Sequence, residues 1–550
     1  MPKISTRYIF VMGGVISGLG KGIAVSSIAR LLQGVGYRVS AMKIDPYVNV
    51  DAGTMNPTEH GEVFVTKDGL ETDQDIGNYE RYLGAELTKD SYMTTGQVYL
   101  SVIRQERNLE YHGKSVQVVP HIPDEVIRRI KFAAKQNRSE IMLIEIGGTV
   151  GEYENLLFLE AARMMHLQEP ASVQFILVSY LPIPHVLGEM KTKPTQHAVR
   201  ALNSAGIHPD FVLCRAERPL DTRRKEKISV FCNMHPDDII SAQDVPSVYE
   251  VPINLEKEGI GKKILAKFGL KERTRDLVEW RKMVAAARRN RCTVAIGIIG
   301  KYFTSGEFTL ADSYLSVIES IKHACWSLGI QPKLTWLDAE DFEKDPGELK
   351  KLSQYDGIIV PGGFGARGVE GKIAAIEYVR THAIPYFGLC YGLQLAVVEF
   401  ARHVLKMKKA NTTEIDERTL YPVIDMMADQ REKLRRRDFG GTMRLGEYRC
   451  KLVNGMRAQS AYGTPRIVRE RHRHRYEVNN AYRTRFERSG FMVSGVNPDR
   501  NLVEIMELKK HPFFMGVQFH PEFKSYPLAP HPLFLEFIRA CNKKARGSRP

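Results

Sequence analysis

Cys390 stands between glycines in GLCYGLQ, and His520 and Glu522 stand two residues apart in VQFHPEF. A G-x-C-x-G run between an apolar strand and an apolar helix is a nucleophile elbow with sulfur in place of oxygen. Its glycines permit a sharp turn that presents the side chain at the start of a helix, whose positive end stabilises a thiolate. The strand period of two puts His520 and Glu522 on one face, so the carboxylate orients the imidazole as a base for Cys390. VPGGFGARG ends another strand in glycines. The Gly363 and Tyr391 N–H groups are the natural donors to a tetrahedral oxyanion, each contributing on the order of 3 kcal/mol in the transition state. For the pentapeptide alone, a buried structural cysteine is the competing reading. For the three stretches together, a cysteine protease competes with hydrolysis of a side-chain amide.

A second chemistry is written near the N-terminus. VMGGVISGLGKGI, from Val11 to Ile23, has the Gly20-Lys21 pair of a phosphate loop but breaks the G-x-x-x-x-G-K-S/T rule twice. Val15 occupies the place of the first glycine, and Gly22 replaces the hydroxyl residue that would hold a metal. Backbone N–H groups and a lysine at a helix start suit phosphates, whereas a plain glycine-rich turn suits no ligand.

The elements that must carry these residues alternate. RYIFVMGG, RVSAMKID, IMLIEIGG, VQFILVSY and DFVLCRAE read as buried parallel strands separated by helical patterns, a doubly wound α/β domain. Ligands in such sheets sit beyond the strands' carboxyl ends, where Gly13 to Lys21, Lys43, Glu145 and Arg215 fall. After Asn254 a Lys- and Arg-rich stretch with Leu277, Trp280 and Val284 at helical spacing reads as a connector. TVAIGIIGKY, KLTWLDA, YDGIIVPGGFG, IPYFGLCYGLQ and FFMGVQFHPEF then form a second α/β domain. The charged, glycine-marked stretch 406–446 reads as a surface excursion.

At 550 residues the chain exceeds one core, and 43% hydrophobic with 26% charged residues is ordinary for a soluble globular protein. Seven widely spaced cysteines without a C-x-x-C pair argue against a disulfide framework or structural zinc and fit a reducing cytoplasm. No leader or membrane span is expected. A net charge of +15 suits nucleic acid, an anionic surface or several polyphosphates. Aromatics are not interleaved with a basic stripe, which disfavours a polynucleotide. Five arginines between Arg466 and Arg475, in RIVRERHRHR, would alone suggest nucleic acid or a solvated strand face, and His472 with His474 a metal lacking a third ligand.

The glutaminase-like features from about Arg291 to Cys541 resemble the class I glutamine amidotransferases. There the residue after the cysteine is usually small or aliphatic; here it is Tyr391. KIDPYVNVDAGTMNPTEHGEVFV, ETDQDIGNYER, EIGGTVGEYE, KTKPTQHAVRAL and RHRHRYEVNN, taken in order over essentially the whole chain, resemble the CTP synthases. The resemblance implies glutamine hydrolysis, ATP-dependent phosphorylation of the uracil O4 of UTP, and displacement of that phosphate by ammonia to give CTP, the last step of de novo CTP synthesis. It implies domains at 1–267 (synthetase), 268–290 (linker) and 291–544 (glutaminase), with a tail at 545–550. It also implies a homotetramer, filaments in some settings, and no nucleic-acid or membrane partner.

Residue by residue, the resemblance implies that Gly18, Leu19, Gly20, Lys21, Gly22, Ile23, Asp75, Arg215 and Val245 bind ATP. Asp75 and Glu145 would hold Mg2+, and Lys21 and Lys43 would stabilise charge during phosphoryl transfer. Ser17, Glu152, Tyr153, Glu154, Lys191, Thr192, Lys193, Pro194, Thr195, Gln196 and Lys227 match UTP and CTP contacts. Gly363, Tyr391, Gly392, Leu393, Gln394, Glu414 and Arg475 match glutamine contacts, with Arg475 on the α-carboxylate and Glu414 on the α-amine. His60 and Val63 match an ammonia passage, and Gly440 to Gly446 a lid where GTP activates hydrolysis; CTP is the feedback inhibitor. The alternatives are another ATP-dependent amidotransferase acting on a cofactor precursor, and a filament-forming protein with dead chemistry, against which the intact Cys390, His520, Glu522, Lys21, Asp75 and Glu145 argue.

Overall fold

In a computed structural model of the chain, the described residues are 6–56, 60–184, 188–273, 277–289, 292–300, 304–305, 308–309, 311–427, 430 and 440–547. They form two compact units, Met1–Asp51 with Asp75–Val284, and Ala52–Gln74 with Ala285–Pro550.

The first unit is built on a seven-stranded sheet in the order Tyr92–Thr94, Val39–Asp45, Ile141–Ile146, Arg7–Gly13, Val173–Tyr180, Phe211–Ala216, Ile239–Gln243. All its pairings are parallel. Ile141–Ile146 is buried at every position, as a strand covered by helices on both faces must be. The register sets Lys43 opposite Glu145 and Glu145 opposite Val11. Two charged side chains are thereby brought side by side at the sheet's carboxyl edge.

The second unit has a nine-stranded sheet. Gln331–Asp338, Thr293–Gly300, Gly357–Val360, Tyr386–Leu389 and Phe514–Val517 run parallel. Leu502–Leu508, Phe491–Asn497, Arg444–Leu452 and Ile467–His474 extend it antiparallel. The elbow strand Tyr386–Leu389 leads directly into helix Tyr391–His403.

Three features add to the sequence reading. Within the helical connector, Trp280, in helix Val278–Arg288, is fully buried against Tyr82 and Tyr249 and donates to the Tyr249 carbonyl at 2.8 Å. Burying an indole that finds a hydrogen-bond acceptor ties the start of this helix to the first unit. Residues 52–74 lie in the span expected for the synthetase domain, yet group with the second unit. Part of the 406–446 excursion is a small sheet of Ala410–Thr412, Tyr421–Met426 and Tyr476–Val478. Positions 428–429 and 431–439 of that excursion lie outside the described residues, as do 548–550 of the tail.

Candidate active sites

In the first unit, one of the two phosphate-loop departures, Gly22, has a geometric reason. Val15 takes φ 86°, the left-handed region that a glycine would occupy at no steric cost. Gly20 (φ 77°) is the N-cap of helix Lys21–Gly34. A Cβ on Gly22 would collide with the Asp75 carboxylate. Position 22 carries no hydroxyl because a carboxylate from helix Gln74–Leu83 fills the space.

Lys43 Nζ donates to Glu145 Oε1 at 2.8 Å, pairs with Asp75, and lies 3.7 Å from Asp45 Oδ1. Tyr79, one helical turn after Asp75, donates to the other oxygen of Glu145. Burial, and after it the Asp75 charge, push the Glu145 carboxyl above its ordinary range, against the pull of Lys43 and Lys21. Lys21 Nζ donates to the Gly148 carbonyl at 2.9 Å. Burial lowers the Lys21 pKa, Glu145 opposes that shift, and Lys43 adds to it. Asp75 and Glu145 therefore converge on one cation, here an ammonium, and their hard oxygen donors also fit a divalent ion. Beside them a cavity of about 130 Å³ is lined by Leu19, Gly20, Ile23, Arg215 and Val245 among others. Arg215 Nε pairs with Asp244 at 2.8 Å.

In the second unit, Cys390 sits at φ 49°, ψ −96°, outside the regions open to an ordinary side chain. Gly388 and Gly392 make this turn possible. A Cβ on the first would lie 2.7 Å from the Gly392 carbonyl carbon, and one on the second would strike the Val360 carbonyl. The Cys390 N–H donates to the Val517 carbonyl at 2.7 Å. Gln518 Nε2 lies 3.6 Å from Sγ.

His520 Nδ1 is 2.7 Å from Glu522 Oε1, and its ring stacks on Phe523 at 5.1 Å. Burial opposes the charged imidazole, but Glu522 and Cys390 outweigh it and push the His520 pKa up to about 10. The glycine loop passes over the pair: a Cβ on Gly362 would stand 2.8 Å from His520 Cε1 and 3.8 Å from Cys390 Cβ. A cavity of about 470 Å³ is lined by Cys390, His520, Glu522, Gly363, Arg475 and Val63 among others. This is the arrangement of a thiol nucleophile, an oriented base and a donor loop.

A CTP synthase N-terminus family profile matches residues 7–270, and a class I glutamine amidotransferase profile matches residues 309–540. A CTP synthase of Symbiobacterium thermophilum is 48% identical over 99% of this chain and 100% of its own length. The chain belongs to the CTP synthase family. A Pyrococcus furiosus CTP synthase is 52% identical, covering 98% of each chain. A solved Trypanosoma brucei CTPS glutaminase domain with bound acivicin is 37% identical, covers 46% of this chain and 94% of its own, and superposes with a TM-score of 0.42.

The other positions carried over from the CTP synthases fall as follows. Gln394 Nε2 donates to the Tyr476 carbonyl at 2.8 Å, and Gly392 and Leu393 are buried in the first turn of the elbow helix. Arg475 is held by Gln430 at 2.8 Å and Thr442 at 3.0 Å, while Glu414 accepts from the Gly365 N–H at 2.7 Å. Lys191 pairs with Glu189 at 2.6 Å, and Lys227 adds to the field that lowers the Glu189 pKa. Lys193 stands 5.6 Å over the Phe231 ring, Pro194 opens helix Lys193–Ser204, and Thr195 meets Ser179 at 2.9 Å. Gln196 Nε2 donates to Thr192 Oγ1 at 3.1 Å. Ser17, Gly18, Tyr153 and Glu154 are exposed, and Glu152 accepts from the Thr149 N–H at 3.0 Å. Among the described residues no hydrogen bond or ion pair joins the 152–154 group to the 191–227 group. Val63 lines the cysteine cavity, whereas His60 is exposed and is not part of that lining.

The solvated-face alternative for the arginine run does not hold at its centre. Arg471, His472 and His474 are buried rather than solvated. His472 Nε2 lies 2.7 Å from Glu504, Arg444 pairs with the same carboxylate at 2.7 Å, and Arg473 pairs with Glu71 at 2.7 Å. The residues missed from sequence were Asp45, Tyr79, Glu62, Arg473 and Gln518. Only Tyr79 left a signal, its four-residue spacing from Asp75.

Proposed function

We propose that this chain is a glutamine-hydrolysing CTP synthase, converting UTP, ATP and glutamine to CTP. The reading rests on full-length similarity to CTP synthases together with two separate constellations, Cys390 with His520 and Glu522, and Lys43 between Asp75 and Glu145.

In the glutaminase site, Cys390 sulfur attacks the side-chain amide carbon of glutamine. Arg475 and Glu414 hold its α-groups, and the Gly363 and Tyr391 N–H groups receive the oxyanion. His520, kept charged and oriented by Glu522, protonates the departing ammonia and then takes a proton from the water that opens the thioester. In the synthetase site, the loop from Gly18 to Ile23 with Lys21 cradles the ATP phosphates, and Arg215 and Val245 border the base. Asp75 and Glu145 are the residues that would hold Mg2+, which screens phosphate charge when bound. Lys43, held by Asp75 and Glu145, is assigned to neutralise charge developing on the transferred phosphoryl group. Ammonia then displaces phosphate from the activated uracil.

Ser17, Glu152 to Glu154, Lys191 to Gln196 and Lys227 are assigned to UTP and CTP, and His60 and Val63 to ammonia transit. GTP activation at Gly440 to Gly446, feedback by CTP, a homotetramer and a cytoplasmic setting complete the proposal. One assay tests it. ATP, UTP and magnesium are supplied with either glutamine or ammonium, and conversion of the uracil chromophore to cytosine is followed. Product from both nitrogen sources supports the reading; product from neither overturns it.

A further inference from the structure

The residue that follows Cys390 in the elbow, Tyr391, reaches both the elbow and the glycine loop that faces it. Its backbone belongs to the turn that carries Cys390. Its side chain, 1% exposed, donates from the hydroxyl to the Gly365 carbonyl at 2.9 Å. Gly365 is thus held at both of its backbone groups, since its N–H donates to Glu414 at 2.7 Å. Between the elbow and this anchor lie Gly362, Gly363 and Phe364, a loop whose glycines leave its peptide planes free to rotate unless something holds them. The loop carries the Gly363 N–H, and its Gly362 backbone lies against His520 and Cys390. A rotated peptide would turn the donor away from the reacting carbonyl.

The ring of Tyr391 is itself held. Lys372, fully buried on helix Val369–Thr381 that follows the same loop, places its ammonium 5.5 Å from the ring centroid. A cation over an aromatic face in a desolvated setting is a strong contact, which an aliphatic residue at 391 could not supply. Lys372 and Tyr391 therefore form a matched pair.

We infer that Tyr391 is a positioning residue of the glutaminase: through its hydroxyl on Gly365 it fixes the Gly362–Gly365 loop, and with it the Gly363 donor, against the elbow. This rests on the assignment of Cys390, His520 and Glu522 to glutamine hydrolysis. Tyr391 acts through the loop, so its loss should weaken transition-state stabilisation and leave glutamine binding intact.

The test compares wild type, Tyr391→Phe, and Tyr391→Leu with and without Lys372→Met, in the full chain. For Tyr391→Phe, the glutamine-dependent kcat should fall about tenfold, the loss of one hydrogen bond's worth, with KM within about twofold. Inhibition by the aldehyde analogue of glutamine, glutamate γ-semialdehyde, which forms a tetrahedral adduct with the thiol, should weaken by the same factor. Ammonia-dependent CTP formation should not change, and the melting temperature should fall by no more than about 4 °C. Tyr391→Leu alone should lower the melting temperature, and Lys372→Met should restore it without restoring kcat. An unchanged kcat in Tyr391→Phe, aldehyde inhibition as tight as in wild type, a rise confined to KM, or recovery of kcat in the double variant would each overturn the inference. Failure of the underlying reading looks different: wild type itself would use ammonia but not glutamine.

Discussion

The carboxylate of Asp75 occupies the space that any side chain on residue 22 would require. The phosphate loop has exchanged a hydroxyl borne on the loop for a carboxylate delivered from a different helix. Restoring the usual loop residue should therefore damage the enzyme. In Gly22→Ser, ammonia-dependent CTP formation should drop by about 100-fold or more, a barrier increase of about 3 kcal/mol, while glutamine hydrolysis survives. A gain, or no change, in CTP formation would show that Asp75 does not need that space.

Removing Mg2+ with a chelator should stop CTP formation from ammonia, and Glu145→Gln should do the same with metal present. The Glu145 carboxyl is pushed up by burial and by Asp75, so it depends on a cation facing it. Glutamine hydrolysis, measured as glutamate release, should continue in both cases. Its loss on chelation would mean that the two chemistries share a metal.

Cys390→Ala should abolish glutamine-dependent CTP formation and spare the ammonia-dependent reaction. Cys390 lies in a cavity lined by residues of the second unit alone. Loss of both activities would contradict two separable sites.

Glu522→Gln should cut glutamine-dependent kcat by about 1,000-fold or more, by analogy with loss of the orienting carboxylate in a serine triad. It should also move the alkaline limb of the pH profile to lower pH, because Glu522 helps hold the His520 pKa at about 10. Stability follows the same group. A folded pKa raised above the unfolded value of about 6.5 stabilises fully below about 6.5, and that stabilisation is lost as pH climbs toward about 10. Wild type should lose stability over that window in denaturant titrations, and Glu522→Gln should lose less. Identical slopes would rule out the pair as the source.

Glu62 accepts from the Ser316 N–H with both carboxylate oxygens at 3.1 Å, and from its hydroxyl, at the start of helix Leu315–Ser327. It lines the cysteine cavity as well. Glu62→Ala strands a buried N–H and should cost about 1–3 kcal/mol of stability, with a raised KM for glutamine. A melting temperature and KM equal to wild type would show that the 52–74 segment is held by other contacts.

The glycine-flanked turn at Cys390, the shared face of His520 and Glu522, and the helix start at Lys21 were legible in the sequence because each rests on short-range backbone geometry. Glycines at 388 and 392 define a turn, and a spacing of two in a strand defines a shared face. Asp75 and Glu145 were reachable only through family resemblance, since nothing in the spacing of two carboxylates seventy residues apart says that they meet. The register that sets Lys43 opposite Glu145 brings them to one cation.

The burial of the RHRHR run was not legible for a related reason. Charge on a strand looks solvated until its partners are known, and Glu504 and Glu71 come from remote parts of the chain. The same holds for segment 52–74, whose side chains carry no sign of the unit they join, and for Tyr391, whose hydroxyl meets a carbonyl 26 residues earlier. The sequence by itself determined the two α/β architectures and the glycine-flanked turn at Cys390, because strand period, helix period and glycine turns are local. Tertiary structure alone decided which charges are buried, which carboxylates share the Lys43 ammonium and which carbonyl the Tyr391 hydroxyl meets, because those depend on strand register and on long-range packing.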